Sequence, residues 1–135
     1  PVRYGPATDS YGADENVRTK YFPMIESAES LADVETIAAL PAVDGLFAGP
    51  TDLALSLGRP RYTFSAEDQA DLKRIAAAAR AAGKTWILPA WTAPERALGR
   101  AEGADVMVVG AQFYLVRAAF RSLVEQLQGE GIVDA

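Results

Sequence analysis

The sequence contains no histidine and no cysteine. The first absence removes any histidine general base, histidine metal ligand or histidine-containing triad from this chain. The second removes disulfides and thiolate metal sites, and together with the lack of a recognisable signal peptide it fits a cytoplasmic protein. No apolar run approaches the roughly 20 residues that span a bilayer, so no membrane segment is expected. Basic residues are outnumbered, 13 Lys and Arg against 18 Asp and Glu for a formal charge of −5. They form no cluster, which argues against nucleic acid and anionic lipid as partners. An initiator methionine is also missing at Pro1. Residues 1–19 hold no periodicity and carry the turn pairs Gly5-Pro6 and Tyr11-Gly12. They are expected to be a loop continuing from a missing N-terminal half, with Arg3 available to an anion.

What is present is an alternation. The chain has 135 residues, half of them apolar, enough for one modest domain spanning 1–135. Strands are expected at Lys20–Glu26, Val43–Ala48, Lys84–Ala90 and Asp105–Val109. Helices are expected between and after them. The first runs from a cap at Ser27 or Ser30 to Pro41, with Leu31, Val34, Ile37, Ala38 and Leu40 at helical spacing. A short helix follows over Thr51–Leu57, ended by Gly58. The next starts at Ser65-Ala66-Glu67-Asp68, close to a capping box, and ends before Gly83 with Leu72, Ile75, Ala76 and Ala79 inward. Thr92 and Glu95 open another that Gly103 ends. Gln112–Gln128 closes the chain, with Leu115, Ala119, Leu123 and Leu127 inward. Gln112 and Phe113 are assigned to packing that helix, Trp86 to the core, and Glu29, Asp33, Glu67 and Asp68 to solvated faces. Four successive βα units make a small open parallel sheet or half of an eightfold barrel, and the leading loop favours the half-barrel.

The stretch Tyr21 to Gly58 concentrates the chemistry. Its two apolar runs each end at a carboxylate beside turn residues, Glu26 after the first and Asp52 after the second. Parallel strands joined by a right-handed crossover bring their C-terminal ends side by side, at the edge where α/β sheets and barrels keep their sites. Two carboxylates there suit a hard divalent cation that leaves positions open for substrate. The plainer readings are a surface ion pair for Glu26 and a helix cap for Asp52. Gly49-Pro50 turns the chain, and the amides of Thr51, Asp52 and Leu53 are expected to project from the edge, suited to a carboxylate or phosphate. Asp44 belongs to the turn at the opposite edge. Trp91, and less strongly Leu88 and Pro89, stand near the end of the third strand as candidates to line a pocket.

Ile25-Glu26-Ser27, then Val43-Asp44-Gly45 through Gly49-Pro50-Thr51-Asp52-Leu53 and Ser56-Leu57-Gly58, resemble the HpcH/HpaI aldolase family, the metal-dependent class II pyruvate aldolases. The later AAGK and EGADVMVVG stretches resemble it too. The resemblance covers nearly the whole chain but only the C-terminal half of a family member. It implies a parallel (βα)4 half of a TIM (β/α)8 barrel, supplying strands five to eight. It implies cleavage of 4-hydroxy-2-oxo acids to pyruvate, or a close 2-oxo acid, and an aldehyde. The divalent ion (Mg²⁺, Mn²⁺ or Co²⁺) would be held by Glu26 and Asp52. Thr51, Asp52, Gly49, Pro50 and Met24 would contact the substrate, Met24 standing where some members carry glutamine.

The family's catalytic histidine and arginine belong to the missing half. The resemblance therefore places no catalytic residue in this chain and implies that it is inactive alone, while the full-length form is a homo-oligomer. A citryl- or malyl-type CoA-ester lyase half-barrel, macrophomate-synthase-like decarboxylating chemistry and a non-catalytic truncated fragment are the competing readings.

Overall fold

The computed structural model describes residues 10–134. Four parallel strands form one sheet: β1 (Met24–Ile25), β2 (Gly45–Ala48), β3 (Thr85–Pro89) and β4 (Val106–Val108). They lie in the order β1-β2-β3-β4, with Met24 beside Phe47, Phe47 beside Ile87 and Ile87 beside Val106. The order never reverses, so right-handed crossovers carry every connecting helix over the same face. On that face Ile25, Leu46, Ala48, Trp86, Leu88 and Ala90 are buried. The other face carries Met24, Phe47, Ile87 and Val106, and it is only partly covered, Met24 being 43% and Val106 46% exposed.

The helices over the buried face are α2 (Ala28–Ala32), α3 (Val34–Ala39), α4 (Pro50–Ser56), α5 (Ala66–Ala81) and α6 (Ala93–Glu102). Their starts are chemically marked. Ser27 with Ser30, Ser65 with Asp68, and Thr92 with Glu95 each form a reciprocal capping box. Their stops are marked as well, with Gly58, Gly83 and Gly103 in the left-handed region that a side chain disfavours.

Several expectations are corrected. Within the expected 1–19 loop, Tyr11–Arg18 is helical (α1), with none of its residues buried. Arg3, Gly5 and Pro6 lie outside the described residues. The single helix expected from Ser27 to Pro41 is broken at Asp33, whose ψ of 12° interrupts the turn between α2 and α3. The first strand is ladder-paired only at Met24–Ile25, while the Pro23 carbonyl accepts from the Phe47 amide. Pro23 thus precedes the strand, as a residue without an N–H should.

The closing helix α7 (Gln112–Gly129) forms, but no residue on it is buried. Leu115, Leu123 and Phe113 are 64%, 48% and 68% exposed, so the inward face and the packing role for Phe113 are not realised. A stripe needs a surface to meet. Asp68, expected on a solvated face, is 3% exposed for a reason given below.

Candidate functional site at the C-terminal edge

Glu26 is the first residue beyond β1, and Gly49 the first beyond β2. The Gly49 amide donates to the Ile25 carbonyl at 2.9 Å, extending the ladder one step past the strands and setting the two residues together. A Cβ placed on Gly49 would fall 2.6 Å from Glu26 Cβ and 3.2 Å from its Oε2. No side chain fits there, because Glu26 lies over Gly49. The Glu26 main chain is itself held, its amide donating to Ser30 Oγ at 3.2 Å beside the Ser27 amide at 3.0 Å.

Helix α4 starts immediately, with Gly49 at its cap, Pro50 in the first turn and Asp52 as that turn's acidic residue. A carboxylate there is favoured by the amide end of the helix. Leu53 uses its amide on the Gly49 carbonyl at 2.9 Å, so of the three amides expected to be free only those of Thr51 and Asp52 remain so among the described residues. Ser56 Oγ accepts from the Ala28 amide at 2.9 Å and ties the far end of α4 to α2. The segments carrying Glu26 and Asp52 are thereby fastened at both ends.

Glu26 and Asp52 are exposed, and among the described residues neither carboxylate takes part in a hydrogen bond or ion pair. The plainer surface-ion-pair and side-chain-cap readings are therefore not realised; α4 has no side-chain cap at all. Among the described residues no three acidic groups gather as a ready metal cluster. What remains is two oxygen donors on neighbouring segments, the ligand type that a hard cation takes.

Met24 points from the same strand end toward Gly49, its Cγ 3.1 Å from that virtual Cβ. Trp91, past β3, is 42% exposed at the rim, and its ring lies 6.1 Å from that of Tyr114, which lies 5.7 Å from Phe113. Arg96 fixes this rim by donating to the Ala90 and Trp91 carbonyls at 3.2 and 2.8 Å. Leu88 is fully buried, its side chain against Gly99 on the helix side of the sheet, so it does not line the open edge. Pro89 is buried as well. Asp44 sits at the opposite edge, where the Tyr21 amide and then Lys20 Nζ hold its carboxyl below the usual aspartate range.

One group of residues escaped sequence reasoning. Behind α4, the Arg59 guanidinium pairs with Asp68 Oδ1 at 3.4 Å and with Asp71. Burial pushes the Asp68 carboxyl up, but the Thr63 and Ser65 amides and Arg59 outweigh it and leave the group below its ordinary range. Burial, then the nearby Glu95 carboxylate, drives the Tyr62 hydroxyl well above the tyrosine range. The only signal in the sequence was Asp68 at the third helical position after Ser65, which predicts the cap but not its burial.

A parallel sheet of four strands with its helices on one face is an α/β architecture, and in that class the C-terminal strand edge is the usual place for a site. The sequence profile of the HpcH/HpaI aldolase/citrate lyase family matches residues 5–119, and the chain belongs to that family. It is 46% identical over 80 residues to a hydroxypyruvate/pyruvate aldolase of Paraburkholderia phytofirmans, covering 59% of this chain and 30% of that protein. It is 35% identical over 126 residues to a 5-keto-4-deoxy-D-glucarate aldolase of Klebsiella pneumoniae subsp. pneumoniae, covering 90% and 47%. A crystal structure of a family member from Burkholderia cenocepacia superposes with a TM-score of 0.74 at 32% identity, covering 87% of this chain and 46% of that one. The chain thus spans about half the length, or less, of the relatives it matches. Among the described residues no helix is long and apolar enough to cross a membrane.

Proposed function

We propose that this chain forms the C-terminal half of a (β/α)8 barrel, strands five to eight, in an aldolase that cleaves 4-hydroxy-2-oxo acids to pyruvate, or a close 2-oxo acid, and an aldehyde. The observation that carries the reading is the Glu26–Gly49 contact, which sets one open carboxylate beside the turn that bears the other. Glu26 and Asp52 would hold a divalent ion, Mg²⁺, Mn²⁺ or Co²⁺. That ion would supply a Lewis acid for the keto and carboxylate oxygens of the substrate.

The chain's own groups bind and orient. The Thr51 and Asp52 amides donate toward the substrate carboxylate, Gly49 and Pro50 keep that approach free of side chains, and Met24 and Trp91 bound the space beside it. Among the described residues nothing at this edge is placed to move a proton: the chain lacks histidine, and Arg96 and Arg59 are engaged, the first with carbonyls and the second with Asp68 and Asp71. The acid/base step falls to residues outside these four βα units. The half-barrel reading also accounts for the incompletely covered sheet face bearing Met24 and Val106, which in a closed barrel would be interior.

The test is complementation. The chain is co-expressed with the N-terminal half of a family aldolase and assayed for Mn²⁺-dependent pyruvate release from a 4-hydroxy-2-oxo acid. The reading expects activity from the pair, none from either half, and loss in Glu26→Gln and Asp52→Asn. Equal turnover in the pair built with these variants would overturn it.

A further inference from the structure

Helix α4 is seven residues long; it buries Pro50, Leu53 and Ala54, and Ser56 Oγ ties its far end to the Ala28 amide. A helix this short has no stability of its own, so the direction in which it presents Asp52 is set by what lies beneath it. Beneath it, the apolar seat of Leu53 in the core is flanked by a charged group. Arg59, its side chain 17% exposed, follows Gly58 (φ +78°) and donates its amide to the Ala54 carbonyl at 2.9 Å. Its guanidinium turns back under the helix and forks between Asp68 and Asp71, one turn apart on α5. Pro50, Leu53, Arg59, Tyr62 and Asp68 line a small, partly open recess here. Arg59 Nε and Asp68 Oδ1 are buried without a hydrogen bond, the Asp68 oxygen having only its ion pair with Arg59. The loop between Arg59 and α5 passes through Phe64 at φ +59°, a conformation that persists in an aromatic residue only where its surroundings impose it.

A largely buried, incompletely satisfied charge cluster is a poor source of stability, since apolar residues of the same volume serve as well or better. A planar fork with two fixed acceptors does supply direction. We propose that Arg59 is a positioning residue that fixes the orientation of α4, and through it the carboxylate of Asp52. Its consequence for ligand binding rests on the two-carboxylate reading above; its consequence for α4 does not.

The experiment uses the described chain, as parent, Arg59→Lys and the double variant Arg59→Met/Asp68→Asn, which leaves no carboxylate at position 68 facing an apolar residue. Hydrogen exchange is read at the Leu53 amide of α4 and the Ile75 amide of α5, and Mn²⁺ affinity by electron paramagnetic resonance. The expected result is about tenfold faster exchange at Leu53 with Ile75 unchanged, and Mn²⁺ affinity reduced about tenfold. Arg59→Lys, which keeps the charge without the fork, falls between. Unchanged exchange at Leu53, or equal acceleration at both amides, overturns the proposal. If the parent binds no Mn²⁺, the two-carboxylate reading fails, and the exchange ratio still decides the role of Arg59.

Discussion

Gly49 and Glu26 touch: the glycine is bare because the Glu26 side chain occupies the volume its Cβ would take, 2.6 Å from Glu26 Cβ. Gly49→Ala therefore has to displace either the carboxylate or the β2 end. A loss of about 1–3 kcal/mol in denaturant unfolding is expected, typical of overpacking a fixed site. Gly110→Ala, where the nearest atom to the new methyl would be 3.4 Å away, serves as the control and is expected to change little.

Leu88 on β3 and Trp91 beyond its end should respond differently. Leu88 is fully buried and Trp91 is 42% exposed. Leu88→Ala is expected to cost about 2–5 kcal/mol of stability. Trp91→Ala should cost far less and should instead alter substrate preference in the complemented enzyme. Equal destabilisation by both, measured by thermal unfolding, would contradict the assignment of Leu88 to the core and Trp91 to the rim.

Asp68 gives stability a dependence on acid. Its folded-state pKa lies below the ordinary 3.8, because the Thr63 and Ser65 amides and Arg59 together outweigh burial. A depressed carboxylate stabilises the fold above its unfolded pKa, and that contribution disappears as pH falls through the folded value. Unfolding followed from neutral pH down to about pH 2 should show a steeper loss below about pH 4 in the parent than in Asp68→Asn. Identical profiles would remove Asp68 from the account.

Much of the fold was legible because the local chemistry was strong. Ser65-Asp68 and Thr92-Glu95 mark helix starts through hydrogen bonds that the residues make themselves, and Gly83 and Gly103 mark ends by adopting a conformation that other residues avoid. The parallel order followed from alternating periods. Legibility failed where the outcome depended on what a surface meets. Leu115 and Leu123 are at inward spacing on α7 yet exposed, since periodicity shows a stripe and not its cover. Tyr11–Arg18 forms a helix without a buried face, which an apolar pattern cannot announce. The positions of Glu26 beyond β1, of the Gly49-Pro50 turn and of Asp52 in the next helical turn were legible from spacing, whereas the Arg59–Asp68–Asp71 fork depends on contacts between separate elements.

The same uncovered surfaces predict behaviour in solution. Met24 and Val106 on the open sheet face, with Phe113 and Phe120 on α7 at 68% and 65% exposure, leave apolar area that water does not favour. Both β1 and β4 are also unpaired at one edge. Light scattering after size exclusion should find concentration-dependent self-association of the isolated chain, relieved when the N-terminal half of a family member is supplied. A cooperative, strictly monomeric species at all concentrations would count against the half-barrel.

On the two-carboxylate reading, Glu26 and Asp52 act together on one divalent ion. Titration of the folded chain with Mn²⁺, followed by the loss of the free-ion paramagnetic resonance signal, tests it without requiring turnover. The account predicts one saturable site per chain, weakened about tenfold or more by either Glu26→Gln or Asp52→Asn, with the double variant no weaker than background. Binding that survives both substitutions, or none in the parent, would contradict it.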